Sequence, residues 1–439
     1  MKGTTAGKTA AAGTARPALG RRFTVFQSGV LFSDAGDGLY RFGVPLLALA
    51  VTRSPSEVAL VATATRLPWL LFGLFGGVLV DRFGPPAVML WAGVARTVLV
   101  LALMAVAWQD MLSIPLLIAA ALLVGTAGVM SDLAAQTWTL RLVPSELLPR
   151  ANARIQSIQI TVGQLFGPAF GGVLVPLGMF VPMLLAAVAY GVTSAVAGAV
   201  ARMRAPGATL ASGGGGAESP SGAGGTISAS GSGRRRDAAS LVSELRDGLA
   251  YFLRRRDVGR LAALGACTNF GFAAMITLLP LWVIAPGPLG MSTLALGLMV
   301  TAIAFGGLVA GTCGPRVIAR VGAGRVLRTA APLTGLGLTL VAVGHAAAAV
   351  VGLLMYGAAV TFGNLVVVSY RQRTVPAELY ARVNAAYRWA CWGAMPLGAS
   401  AAGALSTILG LSASFALTGA FTLVAALLLP PRGRLEGES

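Results

Sequence analysis

The feature that most constrains this chain is where its charges fall. From about Phe23 to Leu429 the sequence divides into apolar runs close to twenty residues long, and most charged residues lie in the short breaks between them. A hydrocarbon core about 30 Å thick takes about 20 helical residues to cross. Inside it each backbone N–H and C=O must be satisfied within its own segment, so the runs are read as helices. Twelve such spans are expected, near 23–50, 58–80, 87–108, 114–140, 152–175, 179–201, 259–285, 292–316, 327–345, 347–370, 383–408 and 411–429. Only 11% of the 439 residues are charged, against about 25% in a water-soluble globule. An all-α membrane protein is the reading.

The net charge of +18 does not point to nucleic acid. All but two of the 33 basic residues are arginine, and they mark every second connection: Arg82, then Arg141 and Arg150, then 202–258, then Arg320 and Arg325, then Arg373 and Arg382. Arg53 is the exception among the intervening connections. This alternation follows the positive-inside rule and predicts that both termini are cytoplasmic. Residues 1–22 are polar and basic, so no cleavable leader is expected. Cys267, Cys313 and Cys391 lie in apolar spans without ligand spacing, and neither a disulfide nor a metal site is expected. "SPSE" at Ser54–Glu57 reads as a capping box that starts the second helix.

The chain repeats itself. "RLVPSELLPRANA" from Arg141 returns as "RTVPAELYARVNA" from Arg373. "DAGDGLYRFGVPLL" is echoed by "NFGFAAMITLLPLW", and "DRFG" at Asp81 by "ARVG" at Ala319. The expected domains are a tail 1–22, a six-helix bundle 23–201, a cytoplasmic linker 202–258, a second bundle 259–430 and a tail 431–439. Within the linker, 205–233 is Gly, Ser and Ala rich and is expected to be disordered. Leu241, Leu245, Leu249 and Phe252 then share one face of an amphipathic helix expected on the membrane surface. Repeated bundles around a midplane cavity are an architecture of secondary transporters.

Two motifs carry a family resemblance. "GGVLVDRFGPP" (76–86) resembles the loop between helices two and three of the major facilitator superfamily. "GQLFGPAFGG" (163–172) resembles the helix-five antiporter motif, G-x-x-x-G-P-x-x-G-G. The resemblance extends over about 23–201 and 240–430, nearest to the drug-exporter branch of macrolide-efflux and enterobactin-exporter proteins. It implies the two-bundle major facilitator fold and export of a hydrophobic compound in exchange for protons. It also implies a hinge and seal at Gly163, Gly167, Pro168, Gly171 and Gly172. Physically, the glycines let another backbone approach and Pro168 bends the helix; ordinary small-residue packing is the alternative. Pro85 and Pro86 stand where basic residues usually follow the turn.

A charge at the bilayer centre costs about 3 kcal/mol or more, so charges within the spans mark function or tight pairing. Asp34, Asp37 and Arg41 share one face of the first helix, near the midplane. Asp37, best placed to pair with Arg41, is read as the proton carrier, Arg41 as its switch and Asp34 as an auxiliary acid or substrate contact; a static, neutralised cluster is the alternative. Arg96 and Asp132 lie at equal depth on neighbouring helices and are expected to pair, either as a fixed structural salt bridge or as part of a gate linked to Asp81. They join Asp81, Arg82, Glu146, Arg150, Glu378 and Arg382 as a candidate cytoplasmic gate. Glu146–Arg150 and Glu378–Arg382 also have the spacing of solvated surface bridges. In the second half, Asn269, Asn364 and Ala319 replace Asp34, Asp132 and Asp81, which places proton chemistry in the first half. Asn269 and Asn364 are assigned to the substrate cavity with Tyr387, Arg388, Trp389 and Trp392, although aromatics at a lipid interface fit equally.

No catalytic constellation and no P-loop occur in the sequence, so no enzyme activity and no cofactor are expected. A bacterial cytoplasmic-membrane exporter, acting as a monomer on a small molecule and protons and with no nucleic-acid partner, is the reading. Open alternatives are a siderophore or metabolite exporter, a symport importer and a transport-inactive sensor.

Overall fold

The structure is a computed structural model and describes residues 19–73, 76–203, 246–247 and 249–430. The first half contains α1 (Arg21–Val51), α2 (Pro55–Phe72), α3 (Gly76–Phe83), α4 (Pro85–Trp108) and α5 (Ile114–Leu142). It continues through α6 (Leu148–Ile158), a π-helical segment (Gln159–Phe166), α7 (Gly167–Leu174) and α8 (Val181–Arg202). The second half contains α9 (Arg256–Val283), α10 (Thr293–Val321), α11 (Ala323–Val341), α12 (Ala346–Thr374), α13 (Ala377–Leu409) and α14 (Leu411–Ala425). The expectations for both tails and for the Gly/Ser segment lie outside the described residues. So do Leu241 and Leu245 of the expected amphipathic helix, whose later part is helical at 249–254.

Among the described residues, eight helical stretches are long and apolar enough to cross a membrane, and the α2–α3 pair makes a ninth. The helices α1, α11 and α13 complete the set; polar and charged residues dilute their apolar character. Together these helices cover the twelve apolar runs, in two bundles of six. Proline at the first turn begins α2, α4, α5 and α8, where the missing N–H leaves no orphan donor. Ser54 supplies no side-chain cap to α2. Instead the Thr52 hydroxyl donates to the Glu57 carboxylate and accepts from Ser54 N at 3.1 Å. Gly84 and Gly322, the last residues of "DRFG" and "ARVG", have φ of 82° and 94°, so both repeats turn through a left-handed residue.

The two ends of the molecule are packed differently. At the end bearing Thr52, Gly178, Ala285 and Gly410, one apolar core joins both halves. Leu46, Leu47, Val58 and Met183 share it with Leu278, Trp282, Met299 and Phe415. At the arginine-rich end the cores are separate: Phe23, Phe26, Met89 and Trp138 in the first half, Val258, Leu261, Val326 and Val367 in the second. The contacts between halves agree. A Cβ on Gly403 of α13 would stand 2.4 Å from the Ala59 Cβ of α2, and one on Gly172 would stand 2.9 Å from the Thr293 carbonyl oxygen. Thr63 and Ser400 hydroxyls lie 2.9 Å apart, and Trp69 meets Trp392 edge-on at 4.6 Å. The halves close on each other at one end and part toward the arginine-rich end.

Candidate functional site

The site is built where α1 passes its midpoint. Gly38 of α1 abuts Gly167: a Cβ on Gly167 would lie 2.6 Å from the Gly38 Cα. Pro168 cannot donate to the preceding turn, and its ring crowds the carbonyl four residues back. The helix widens there into the π segment, and Gly167 N–H bonds to the Val162 carbonyl oxygen. A π segment of this kind is a recognised cause of a helix distortion at functional positions. Of the motif glycines, Gly163 and Gly167 pack against α1 and Gly171 against Phe42, all within the first half. The contact with the second half is made by Gly172 and by the Pro168 carbonyl, which would stand 2.5 Å from a Cβ on Gly297.

This close approach brings three helices around one carboxylate. Arg96 of α4, 1% exposed, forms an ion pair with Asp37. Tyr190 of α8 donates its hydroxyl to Asp37 Oδ1 at 2.9 Å. Arg96 also donates to the Ser33 hydroxyl at 3.1 Å, and its guanidinium carbon lies 3.7 Å from the centre of the Tyr190 ring. A buried arginine needs such a set, because an unopposed charge at this depth is strongly unfavourable.

Two expected pairings are corrected. Arg96 pairs with Asp37 rather than with Asp132. Depth alone made Arg96 and Asp132 level, but rotation of α4 decides the partner. Within its buried stripe Met89, Ala92, Gly93, Arg96, Val100 and Leu103, Gly93 lies against Tyr190 and Ser194 of α8, and the guanidinium reaches Tyr190 and α1. Arg41 does not take the Asp37 carboxylate; it donates from Nε to the Asp37 backbone oxygen at 3.1 Å and is itself exposed. Asp132, half-buried, makes no ion pair or hydrogen bond among the described residues, yet Arg96, Arg41 and Arg388 all act on it electrostatically. Asp34 is 8% exposed, and its Oδ2 has no partner.

Sequence reasoning missed three participants. Tyr190 and Ser33 are ordinary residues in apolar helices and gave no signal. Arg66 did: it is an arginine eleven residues into a membrane helix. It donates to the Ala62 oxygen at 2.9 Å and feels the charge of Arg41.

The second-half candidates are dispersed. Asn269 donates back to the Gly265 oxygen of its own helix at 2.9 Å, and Asn364 is exposed on α12. Tyr387 lies under the Arg371 guanidinium at 3.7 Å, and Arg371 donates to Asn384 Oδ1 at 2.9 Å. Arg388 sits over Trp392 at 4.8 Å, and Trp389 is exposed. Tyr387 and Arg388 are adjacent on α13; Tyr387 packs against Arg371 of its own half, and Arg388 lies over Trp392, which meets Trp69 of the first half.

The gate candidates make several separate contacts. Asp81 lies 3.5 Å from Arg141, with both largely exposed, and Arg82 lies 5.7 Å from the Phe83 ring. Glu146 and Arg150 are exposed, and Arg150 lines a cavity of about 460 Å³ with Gln27, Arg154 and Thr161. Arg382 reaches Asp247 at 3.2 Å, and the Glu378 side chain lies outside the described residues. Asp257, which the sequence did not single out, ties the start of α9 to its surroundings through Arg255 and Tyr370.

Similarity to known proteins follows the same lines. A family model described as the Major Facilitator Superfamily matches residues 28–395. An uncharacterized MFS-type transporter, y4rN of Sinorhizobium fredii, is 26% identical over 396 residues, covering 88% of this chain and 89% of the relative. The multidrug efflux pump Tap of Mycobacterium tuberculosis is 29% identical over 177 residues, 37% of this chain and 40% of the pump. Among solved structures, the nucleoside transporter NupG matches with a TM-score of 0.67 at 13% identity, over 93% of this chain and 98% of that one. A bacterial homologue of the iron transporter ferroportin, in its inward-facing state, matches with a TM-score of 0.64 at 17% identity, over 94% and 97%. At these identities the structural likeness speaks for the fold. With two six-helix bundles, a charged centre inside the membrane and a family match over most of its length, the chain belongs to the Major Facilitator Superfamily and is a multi-pass membrane transporter rather than an enzyme.

Proposed function

We propose that the protein exports a hydrophobic small organic compound from the cytoplasm in exchange for protons, by rocking its two halves about the π-bulged α6–α7 segment. The observation that carries this reading is the Asp37–Arg96–Tyr190 cluster, a carboxyl held inside the bundle by a buried guanidinium and a phenol. The partial similarity to an efflux pump supports the direction. Arginine alternation makes the arginine-rich end cytoplasmic, so the parted end is the cytoplasmic one and this is the state that loads from inside.

The proton chemistry follows from the neighbours of Arg96. When Asp37 takes a proton, Arg96 loses its carboxylate and needs another. Gly128 of α5 lies beside the guanidinium, with a Cβ position 3.9 Å from its carbon. Asp132 is four residues on, one helical turn along the same face. Arg96 therefore exchanges Asp37 for Asp132, and that exchange couples the proton to the tilt of α1 against α5. Arg41, one turn from Asp37, supplies the second cation, and Asp34 the auxiliary acid.

Right-side-out cells loaded with a fluorescent lipophilic dye test this. The wild type is expected to extrude the dye until an uncoupler is added. Asp37→Asn is expected to lose uphill extrusion while keeping dye exchange down its own gradient. Uncoupler-sensitive uphill extrusion by Asp37→Asn overturns the reading.

A further inference from the structure

A threonine inside a helix can satisfy its hydroxyl on a carbonyl of its own helix, three or four residues back. Thr126, Thr268 and Thr361 do so, each donating to the oxygen four residues back, at 2.7, 2.9 and 2.9 Å. Thr301 of α10 does not. Its hydroxyl crosses to the first half and donates to the Leu165 carbonyl oxygen at 3.1 Å. Leu165 lies in the π segment Gln159–Phe166. Thr301 therefore bonds to the main chain of the very segment about which the halves rock in the mechanism above.

The packing explains how the hydroxyl reaches. Thr293, Gly297 and Thr301 recur every four residues along one face of α10. That face runs antiparallel to α7 and the π segment. Gly172 meets Thr293 and Leu294, Gly297 meets the Pro168 carbonyl, and Thr301 meets Leu165. A Cβ on Gly297 would stand 3.2 Å from the Gly172 Cα, so the two backbones approach closely because neither glycine carries a side chain. Thr301 is the step of this series nearest the arginine-rich end. A hydrogen bond on the other line of contact joins the hydroxyls of Thr63 and Ser400, but there Thr63 also bonds to the Ala59 oxygen of its own helix at 2.7 Å. Thr301 has the same local option, the Gly297 carbonyl four residues back, in its other helical rotamer. Parting from Leu165 therefore strands no hydroxyl. The exchange is not neutral, because back-bonding slightly destabilises and bends its own helix, and only the crossing bond gives Leu165 a donor from the second half.

We propose that Thr301 is a positioning residue for alternation between the two states of the transporter: its hydroxyl holds the π segment while the arginine-rich end is parted, and returns to the Gly297 carbonyl when the halves rock the other way. A contact made in one state only shifts the balance of states by its own differential free energy. For one hydroxyl–carbonyl bond that is roughly three- to tenfold in their ratio. This inference rests on the rocking of the halves described above, and it names the residue that sets the balance of states rather than a group that carries the proton.

The test is the distance between spin labels on Gln156→Cys of α6 and Arg320→Cys of α10, both exposed. It is measured by pulsed electron paramagnetic resonance on the full-length protein in phosphatidylcholine nanodiscs, with Cys267, Cys313 and Cys391 replaced by alanine. The parent is expected to show a long, parted distance and a shorter one. Thr301→Val keeps the shape without the hydroxyl, and Thr301→Ala removes it without added bulk. Each is expected to lower the long-to-short ratio roughly three- to tenfold. Thr301→Ser is expected to restore the ratio, and Thr361→Val, which loses a hydroxyl bonded within its own helix, to leave it unchanged. A ratio unmoved by both Thr301→Val and Thr301→Ala, a shift that Thr301→Ser does not reverse, an equal shift in Thr361→Val, or a parent without the long distance overturns the inference. The outcomes separate from those for transport. Two distances whose ratio ignores Thr301 remove this lock and leave the rocking, whereas a single distance in every variant removes both. A ratio that depends on Thr301 in a protein whose efflux ignores the uncoupler leaves the lock and removes the proton coupling.

Discussion

Each half of the molecule buries an arginine against a tyrosine ring, and in each the guanidinium carbon lies 3.7 Å from the ring centre. Arg96 in the first half is 1% exposed and Arg371 in the second is 5% exposed. Their remaining partners differ. Arg96 has the carboxylate of Asp37, whereas Arg371 has the neutral amide of Asn384. Arg371 sits in the last turn of α12 at the arginine-rich end, where the helix-terminal carbonyls oppose its charge. Arg96 is near mid-depth and has no such help. A buried arginine can be a packing element at the membrane edge, but at the centre it requires an acid, and an acid that can be protonated makes the pair a switch.

The sharpest way to break this comparison is to remove the two partners. Asp37→Ala removes the carboxylate that holds Arg96 in this state and is expected to lower the unfolding temperature in detergent, together with loss of efflux. Adding Arg96→Gln to Asp37→Asn is expected to recover the stability without the transport. An Asp37→Ala protein as stable as the wild type ends the claim that the first-half pair differs in kind.

A second variant tests the packing that sets the first half apart. Gly167→Leu places a side chain where the Gly38 backbone lies 2.6 Å from a Cβ position. Efflux is expected to disappear while the protein still reaches the membrane, measured by surface labelling beside dye extrusion. Gly163→Ala, whose new carbon would meet the Arg41 side chain at 3.3 Å, is expected to be milder, since a flexible arginine can move aside. Normal efflux by Gly167→Leu reduces the motif to ordinary packing.

In the second half, Asn384→Ala removes only a neutral partner from Arg371. An effect of about 1–3 kcal/mol is expected, with the uncoupler sensitivity of export unchanged. A change in proton dependence here would give the two halves equal shares in coupling. The smallest effect is expected at the exposed bridge between Arg382 and Asp247, 43% and 46% exposed. Arg382→Gln is expected to shift stability by less than about 1 kcal/mol, and a larger loss would raise this contact to a structural latch between the linker and α13.

The sequence alone determined the helices, their number, the two-fold repeat and the presence of a charged centre. These are local properties. A run of about twenty apolar residues has one way to satisfy its backbone in lipid, a proline or a left-handed glycine ends it, and a charge within it must face inward. Asp34, Asp37, Arg41, Arg96 and Asp132 were therefore legible as a group that meets inside the bundle. Which of them pair was not. Asp37 takes Arg96, Asp132 makes no ion pair among the described residues, and Tyr190 and Arg66 join the site because of how far α4, α8 and α2 are rotated about their axes. That rotation comes from the fit of small residues between helices, as where Gly38 meets Gly167. The same dependence decided that one apolar core seals one end while two separate cores part at the other. Hydropathy records how deep a residue lies, and only packing between distant segments decides what it faces.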